Sequence, residues 1–211
     1  MELVIGNKNY SSWSLRPWLF LVQAELPFTE IRLPFRSKEW EEKIGEYSPT
    51  RMVPALRDGE VAVWDSLAIL EYLAEKFPKA GGWPKDAASR ARARSASAEM
   101  HSSFVALRGE LPQDCRSRTE RRISDAAQRD VARVQELWSS CLAEGGPFLF
   151  GDFSIADAMY APVALRFVTY GIPLDATAQG YVEQITSLPA VERWLSEAEQ
   201  ESEVIDLFDS A

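Results

Sequence analysis

The chain has 211 residues, 46% of them hydrophobic and 26% charged, which is ordinary for a soluble globular protein. Its net charge of −9 and pI of about 4.8 argue against general nucleic-acid binding, because an acidic surface repels a phosphate backbone. The first residues lack the basic and apolar stretches of a signal peptide, and no apolar run approaches the roughly 20 residues that cross a bilayer. We therefore expect a cytoplasmic protein with no nucleic-acid and no membrane partner.

Cysteine and histidine are too few to suggest a metal site. The chain has two cysteines, Cys115 and Cys141, and one histidine, His101, and it contains no C-x-x-C pair. We therefore expect no metal, and two buried or incidental thiols in a reducing compartment. The basic run at 116–122 is interrupted by Glu120 and is interpreted as a solvated helix face.

Strand and helix signals alternate over residues 1–80. Apolar runs and period-two alternation predict strands, apolar residues at i, i+3, i+4 and i+7 predict helices, and a turn at Asp58-Gly59 predicts a hairpin. The first β-α-β crossover implies parallel pairing and the hairpin antiparallel pairing, so we expect a small mixed sheet covered by helices. The predicted order is β-α-β-α-β-β-α, over residues 2–5, 13–25, 28–34, 37–47, 53–63 (two strands) and 65–77.

A Pro- and Gly-rich break at 78–86 marks the best domain boundary, and strand signals vanish beyond it. The predicted domains are residues 1–79 and 88–211, joined by a linker at 80–87. S-I-A-D at 154–157 has capping-box spacing and is interpreted as structural. The predicted helices of the second domain are 86–109, about 119–143, and shorter ones near 155–170, 178–186 and 190–200.

Val53 and Pro54 stand directly before the predicted hairpin. Proline donates no hydrogen bond to a sheet ladder, so Pro54 suits a strand start. If the Val53–Pro54 bond is cis, the backbone groups of Val53 turn outward and can pair with a peptide ligand as a short added strand. If the bond is trans, Pro54 is an ordinary strand start, and the spacing alone leaves both alternatives open.

Asp65 and Ser66 stand at the N-terminus of the predicted helix 65–77. Either residue is a normal helix cap, and capping alone would explain them. A helix N-terminus also binds carboxylates through its free N–H groups, while Asp65 can attract an ammonium group. Neighbouring sites for an anion and a cation would fit the α-amino acid end of a ligand.

These features, in this order, resemble the cytosolic glutathione transferases over essentially the whole chain. The shared features are a thioredoxin-like β-α-β-α-β-β-α domain, V-P before the third strand, D-S at the third helix, and an all-helical domain with G-D-F-S-I-A-D. S-S-W-S-L-R at 11–16 resembles the S-S-C-S-W-R signature of the zeta class, which includes maleylacetoacetate isomerases. Trp13 replaces the signature's cysteine, Met52 and Asp65 replace glutamines common in zeta members, and Arg166 is left without an assigned role.

The resemblance implies that glutathione is the co-substrate. Ser11 aligns with the catalytic serine of the zeta signature, with Ser12 as the alternative, and a hydroxyl at a helix N-terminus can donate a hydrogen bond to the thiolate. The residues implied to bind glutathione are Ser14, Arg16, Met52, Val53, Pro54, Asp65 and Ser66. The residues implied to line the second-substrate pocket are Trp13, Met100, His101 and Phe104.

The implied function is a glutathione transferase that activates the thiolate for attack on a small, largely apolar electrophile. One alternative is a glutathione-dependent cis–trans isomerase, in which the thiolate adds to a double bond and leaves again. Another is a glutathione-binding module of the same fold without turnover. The resemblance also implies a homodimer with the helix from about residue 86 at its interface.

Overall fold

The structure is a computed structural model of the chain and describes residues 1–206, so residues 207–211 of the predicted helical domain lie outside the described part. Within the described residues no helix is long and apolar enough to cross a membrane. The strands are β1 (Glu2–Ile5), β2 (Thr29–Arg32), β3 (Ala55–Asp58) and β4 (Val61–Val63). The helices are α1 (Ser12–Gln23), α2 (Lys38–Tyr47), α3 (Ser66–Lys76), α4 (Ala87–Ser102), α5 (Val105–Glu110), α6 (Asp125–Leu142), α7 (Ile155–Tyr170), α8 (Ala176–Thr186) and α9 (Pro189–Glu199).

The four strands form one mixed sheet in the order β2-β1-β3-β4. β1 runs parallel to β2 and antiparallel to β3, and β3 turns back into β4 through Gly59, whose φ of +61° suits a residue without a side chain. The predicted β-α-β-α-β-β-α order and the mixed pairing are therefore confirmed.

Both faces of the sheet are covered, and β1 shows this residue by residue. Leu3 and Ile5 point into the main core, whereas Val4 belongs to a smaller cluster with Ile44 of α2. Successive strand residues point to opposite faces, so a fully apolar strand needs cover on both sides. The chain leaves this buried strand at its carboxyl end and enters α1, which places the start of α1 at one edge of the sheet.

Helix α7 is the centre of the helical part and is buried on almost every side. It packs against α1, α4 and α8, so it also joins the helical part to the sheet part. The predicted capping box at its start is confirmed, since the Asp157 carboxylate accepts hydrogen bonds from Ser154 N at 2.9 Å, Leu149 N at 3.0 Å and Tyr181 Oη at 3.0 Å.

The prediction of one continuous helix over 86–109 is wrong. Helix α4 ends at Ser102, and α5 begins at Val105. Phe104 between them adopts a left-handed conformation with φ of +58°, while its ring is buried in the main core. A bulky residue seldom adopts this conformation, so we attribute the break to burial of the ring rather than to local preference.

The interpretation of the basic run at 116–122 as a helix face is also wrong, because α6 begins only at Asp125. Arg116 donates hydrogen bonds to the carbonyl of Glu201 at 2.6 Å and to the hydroxyl of Tyr10 at 2.8 Å. These partners are distant in sequence, so the local charge pattern could not reveal them. The run is a loop that ties the two ends of the described chain together.

The two cysteines are buried free thiols, as the sequence predicts. Burial raises the pKa of both Cys115 and Cys141 to about 11. Neither thiol is therefore appreciably ionised at neutral pH, and neither has the low pKa of a reactive cysteine.

Candidate active site

A pocket of about 440 Å³ opens where α1, α3, α4 and the segment before β3 meet. All of its lining residues except Thr50 and Trp64 belong to the predicted site. The lining residues are Trp13, Thr50, Met52, Val53, Pro54, Trp64, Asp65, Ser66 and His101.

One wall of the pocket is formed by Met52, Val53 and Pro54, which immediately precede β3. The Val53–Pro54 peptide bond is cis, one of the two alternatives that the sequence left open. Met52 is 68% exposed, which is unusual for a large apolar side chain and places it at the mouth of the pocket rather than in the core.

Asp65 and Ser66 form the wall at the N-terminus of α3. Asp65 Oδ1 caps the helix by accepting from Leu67 N at 3.0 Å, and Asp65 Oδ2 lies 2.9 Å from Nε2 of His101. Ser66 is fully buried, with Oγ 3.5 Å from Nη1 of Arg16. Asp65 is thus a helix cap that also presents carboxylate oxygen to the pocket.

Ser11 is the N-cap of α1, and its hydroxyl is used within the helix start. Ser11 Oγ accepts from Ser14 N at 3.3 Å and donates to Ser14 Oγ at 2.7 Å. Ser14 Oγ accepts in turn from Gly6 N at 3.2 Å. Ser11, Ser12 and Ser14 are all buried, and none of the three is among the residues that line the pocket.

Ser12, the first residue of α1, has a different set of partners. Its Oγ accepts a hydrogen bond from Nη2 of Arg166 in α7 at 3.1 Å, and both side chains are buried. Within residues 1–206 the Ser12 hydroxyl donates to no protein acceptor. Ser12 therefore keeps its proton for another acceptor, while Ser11 does not.

Three arginines, Arg16, Arg108 and Arg166, lie around the first turn of α1, and none of them is among the residues that line the pocket. The guanidinium of Arg16 lies 4.1 Å from the Trp13 ring centroid and that of Arg108 lies 5.5 Å from it. Several of their buried N–H groups meet no protein acceptor in the described part of the chain. These groups are Nε and Nη2 of Arg16, Nε of Arg108, and Nε and Nη1 of Arg166.

The electrostatics of this arginine cluster favour an added anion. Burial, together with the neighbouring arginine cations, lowers the pKa of Arg16 to about 9 and that of Arg166 to about 10. Burial lowers the pKa of Arg108 as well. Buried charge is costly unless it is paired, so the open donors and the mutual repulsion point to a missing negative partner.

Sequence reasoning missed Arg108 and assigned no role to Arg166. Arg166 stands in M-Y-A-P-V-A-L-R-F-V, where a single charge interrupts an otherwise apolar helix. Such a residue is seldom buried without a partner, and this was the signal that could have identified it. Arg108 lies within the predicted helix 86–109, where charged residues are common, and gave no comparable signal.

The predicted second-substrate residues fall into two groups. Trp13 and His101 line the pocket, and their rings make an edge-to-face contact at 5.3 Å between centroids. Met100 and Phe104 are buried in the main core and are absent from the pocket lining. The apolar character expected of this pocket therefore rests on fewer side chains than the sequence suggested.

Two family models match the chain, in the order that the fold requires. "Glutathione S-transferase, N-terminal domain" matches residues 10–76, and "Glutathione S-transferase, C-terminal domain" matches residues 117–197. Together these two stretches cover more than half of the chain. The chain belongs to the glutathione S-transferase family.

Similarity to known members of the glutathione S-transferase family is partial in some cases and extends over most of the chain in others. The chain is 41% identical over 66 residues to a dichloromethane dehalogenase from Methylorubrum extorquens, covering 30% of this chain and 23% of that protein. It is 38% identical over 97 residues to a probable maleylacetoacetate isomerase from Caenorhabditis elegans, covering 46% and 44%. It is 26% identical over 203 residues to glutathione S-transferase GstB from Escherichia coli, covering 90% and 96%. The first two matches thus span less than half of the relatives' own lengths.

Solved structures of this family share the fold. A glutathione transferase homologue from Burkholderia gl BGR1 with bound glutathione has a TM-score of 0.72 at 25% identity, with 94% of this chain and 97% of that chain covered. A maleyl pyruvate isomerase described as a bacterial zeta-class glutathione S-transferase has a TM-score of 0.72 at 23% identity, with 96% and 100% covered. The expected glutathione transferase fold is confirmed.

Proposed function

We propose that the protein is a glutathione transferase that activates the thiol of glutathione for attack on a small electrophile. The observation that carries the proposal is the pocket, which brings Asp65 and Ser66 at the start of α3 together with Trp13 at the start of α1. A helix N-terminus favours a carboxylate, and the Asp65 carboxylate favours an ammonium group. These residues would hold the γ-glutamyl end of glutathione, and Val53 would pair with its cysteinyl backbone.

The hydrogen bonds at the start of α1 support Ser12 as the donor to the thiolate. Ser11 gives its proton to Ser14, whereas Ser12 accepts from Arg166 and has its own proton to give. A charge-assisted hydrogen bond is roughly twice as strong as a neutral one, so it lowers the thiol pKa effectively. In this proposal Ser12, and not Ser11 as the resemblance implied, donates the hydrogen bond to the thiolate. Ser11 is the cap that fixes the start of α1.

The arginine cluster supports a second candidate function, cis–trans isomerisation of an unsaturated acid. Arg16, Arg108 and Arg166 offer unpaired buried donors, which an acidic group on the second substrate would satisfy. A purely apolar electrophile, as expected from the sequence, would leave these donors without partners at a cost of about 1–3 kcal/mol each. The proposed substrate is accordingly a small electrophile with an anionic group.

Titration calorimetry with glutathione tests the proposal, followed by turnover assays with matched pairs of neutral and carboxylate-bearing electrophiles. Binding with turnover of either class supports the transferase, and reversible isomerisation of an unsaturated acid supports the second candidate. Binding without turnover of any substrate would favour the module without activity. Absence of glutathione binding would contradict all three alternatives.

The proposal includes a cytoplasmic homodimer in which α4 lies at the interface, and a domain boundary at 80–87. Closed two-fold dimers are the commonest oligomers, which favours the homodimer. The linker between α3 and α4 contains Gly81 in a left-handed backbone conformation, which favours the domain boundary there. Sedimentation at micromolar concentration tests the dimer. A single species near 23.7 kDa would contradict it.

A further inference from the structure

The residues that follow α9 reach back to the loop that leads into α1. We call residues 200–206 the C-terminal strap and residues 6–11 the α1 loop. The carboxylate of Glu201 accepts hydrogen bonds from the backbone N–H of Lys8 at 2.7 Å and of Asn9 at 3.1 Å. The Glu201 side chain is only 5% exposed. One buried carboxylate thus binds two successive backbone donors, an arrangement that favours a negative charge.

A second set of contacts joins the C-terminal strap to the next residue of the α1 loop, Tyr10. Its hydroxyl accepts from Arg116 Nη2 at 2.8 Å and from Ile205 N at 3.1 Å. Arg116 also donates to the carbonyls of Glu201 at 2.6 Å and Glu203 at 2.8 Å. Three successive residues of the loop, 8 to 10, are therefore held by the far end of the chain.

Further partners of Glu201 and Lys8 fix the C-terminal strap and the α1 loop against the body of the protein. Arg32 of β2 donates to Glu201 at 3.4 Å and to Glu203 at 2.9 Å, which balances the buried charge. The Lys8 carbonyl accepts from Trp194 Nε1 of α9 at 3.0 Å. The loop cannot shift without breaking several of these bonds at once.

The α1 loop ends at the residues that are proposed to activate the thiol. Asn7 O accepts from Ser11 N at 2.8 Å, Ser11 caps α1, and Ser12 is the first residue of that helix. None of the residues 200–206 lines the pocket. We propose that Glu201 is a positioning residue, which sets the direction of the Ser12 hydroxyl through the α1 loop. This inference rests on the proposed function.

The position of the Ser12 hydroxyl matters more for activation than for binding. Hydrogen bonds weaken steeply with misalignment, and a displacement of about 1 Å at a reacting group can cost about a hundredfold in rate. Glutathione would be held mainly by Asp65, Ser66 and Val53, which the C-terminal strap does not contact. Loss of the Glu201 contacts should therefore change the thiol pKa and kcat, and should leave glutathione affinity nearly unchanged.

The test compares Glu201→Ala, Glu201→Gln and wild type. Thiolate absorbance of bound glutathione, followed against pH, gives the thiol pKa, and calorimetry gives the glutathione Kd. We expect Glu201→Ala to raise the thiol pKa by about one unit and to lower kcat at pH 7 by about three- to tenfold, since a one-unit rise lowers the thiolate fraction at a fixed pH by at most tenfold. Glu201→Gln keeps one acceptor oxygen and should lie between the two. The matched control is Glu199→Ala, an exposed glutamate at the end of α9, which should behave as wild type.

A folded Glu201→Ala protein with wild-type thiol pKa and kcat would overturn the inference, and so would a loss of affinity without a pKa change. If Glu201→Ala shows no cooperative unfolding, Tyr10→Phe is the deciding variant. It removes the hydroxyl that bonds Ile205 N and the Glu203 carbonyl of the C-terminal strap, with little change in volume. Tyr10→Phe should raise the thiol pKa in the same direction, and no change would overturn the inference. Wild-type protein that does not bind glutathione would instead contradict the proposed function.

Discussion

Arg166 and Ser12 are joined by a hydrogen bond of 3.1 Å although 154 residues separate them in the chain. The contact exists because α7 packs against α1, which brings a buried cation to the first residue of that helix. A donor that binds the oxygen of a hydroxyl makes its proton a better donor, so the pair can work as a unit. This pair is the main reason to separate the roles of the two neighbouring serines.

Ser12→Ala should raise the pKa of the glutathione thiol, whereas Ser11→Ala should lower stability. A charge-assisted hydrogen bond is worth about 1.5–3 kcal/mol, which corresponds to roughly one to two pKa units for the Ser12 variant. Ser11 is an N-cap, and its loss should cost about 1 kcal/mol in the free energy of unfolding. Thiolate absorbance against pH and urea denaturation measure the two effects. A Ser11→Ala protein with a raised thiol pKa beside an unchanged Ser12→Ala protein would reverse the assignment.

Arg108→Met should reduce turnover of an electrophile with a carboxylate about tenfold or more, and should leave a matched neutral electrophile within about threefold. Arg108 has an unpaired buried donor that can bind the carboxylate, and a hydrogen bond to a charged group is worth about 1.5–3 kcal/mol. Arg108 makes no contact with Ser12, so turnover of the neutral electrophile should be little affected. Arg166→Met should reduce turnover of both substrates, because it also removes the partner of Ser12.

The measured quantity for both arginine variants is the ratio of kcat/KM for the charged and the neutral electrophile. Equal losses on the two substrates in Arg108→Met would show that this cation does not recognise an anionic group. The three-arginine cluster would then bind a group other than the anionic group of the substrate, and the isomerase candidate would lose the observation that supports it.

The order of strands and helices could be predicted because each element buries its own regular face. β1 is apolar on both sides, and α7 begins at a capping box that is visible in S-I-A-D. The break at Phe104 could not be predicted, since its left-handed backbone follows from where the ring is buried. Local sequence patterns reveal the hydrophobic period of a strand or helix and the residues that cap a helix. Backbone conformations that tertiary packing imposes leave no such pattern in the local sequence.

Much of the pocket could also be predicted, because V-P and D-S lie on short segments whose place in the fold follows from the element order. The resemblance named Met52, Val53, Pro54, Asp65 and Ser66, and all of them line the pocket. The arginine cluster and the Glu201 contacts join residues that are far apart in sequence. Such pairings depend on how α7, α5 and the C-terminal strap pack on α1, which a single sequence does not specify.

Ser66→Ala should weaken glutathione binding about three- to tenfold, because one hydrogen bond contributes about 0.5–1.5 kcal/mol. Ser66 is fully buried at the N-terminus of α3 and lines the pocket. The ligand is therefore one of the few hydrogen-bond partners available to its hydroxyl. Calorimetry measures the affinity, and Ser102→Ala on an exposed part of α4 is the matched control. Unchanged affinity in Ser66→Ala would remove this residue from the site.

Asp157→Ala should destabilise the protein more than an ordinary capping variant. The carboxylate is fully buried and accepts hydrogen bonds from the N–H groups of Leu149 and Ser154 and from the hydroxyl of Tyr181. Its loss leaves buried donors without partners, so we expect the free energy of unfolding to fall by about 2–4 kcal/mol at pH 7. Asp152→Ala, an exposed aspartate in the preceding turn, is the control and should change stability by less than about 0.5 kcal/mol.

The Asp157 effect should also depend on pH, with a sign that follows from its pKa. Burial raises the pKa of Asp157 to about 6, even though its hydrogen bonds lower it in part. The folded state therefore binds this proton more tightly than the unfolded chain, where the pKa is about 3.9. The stability that the group contributes is full below about pH 4 and falls as the pH rises through 6, by about 2 kcal/mol between pH 4.5 and 7. Urea denaturation should accordingly give a larger difference between wild type and Asp157→Ala at pH 4.5 than at pH 7. An equal difference at the two pH values would contradict this prediction, because it would mean that Asp157 has the same pKa in the folded and unfolded states. The hydrogen-bond donors around the carboxylate would then offset the cost of burying its charge.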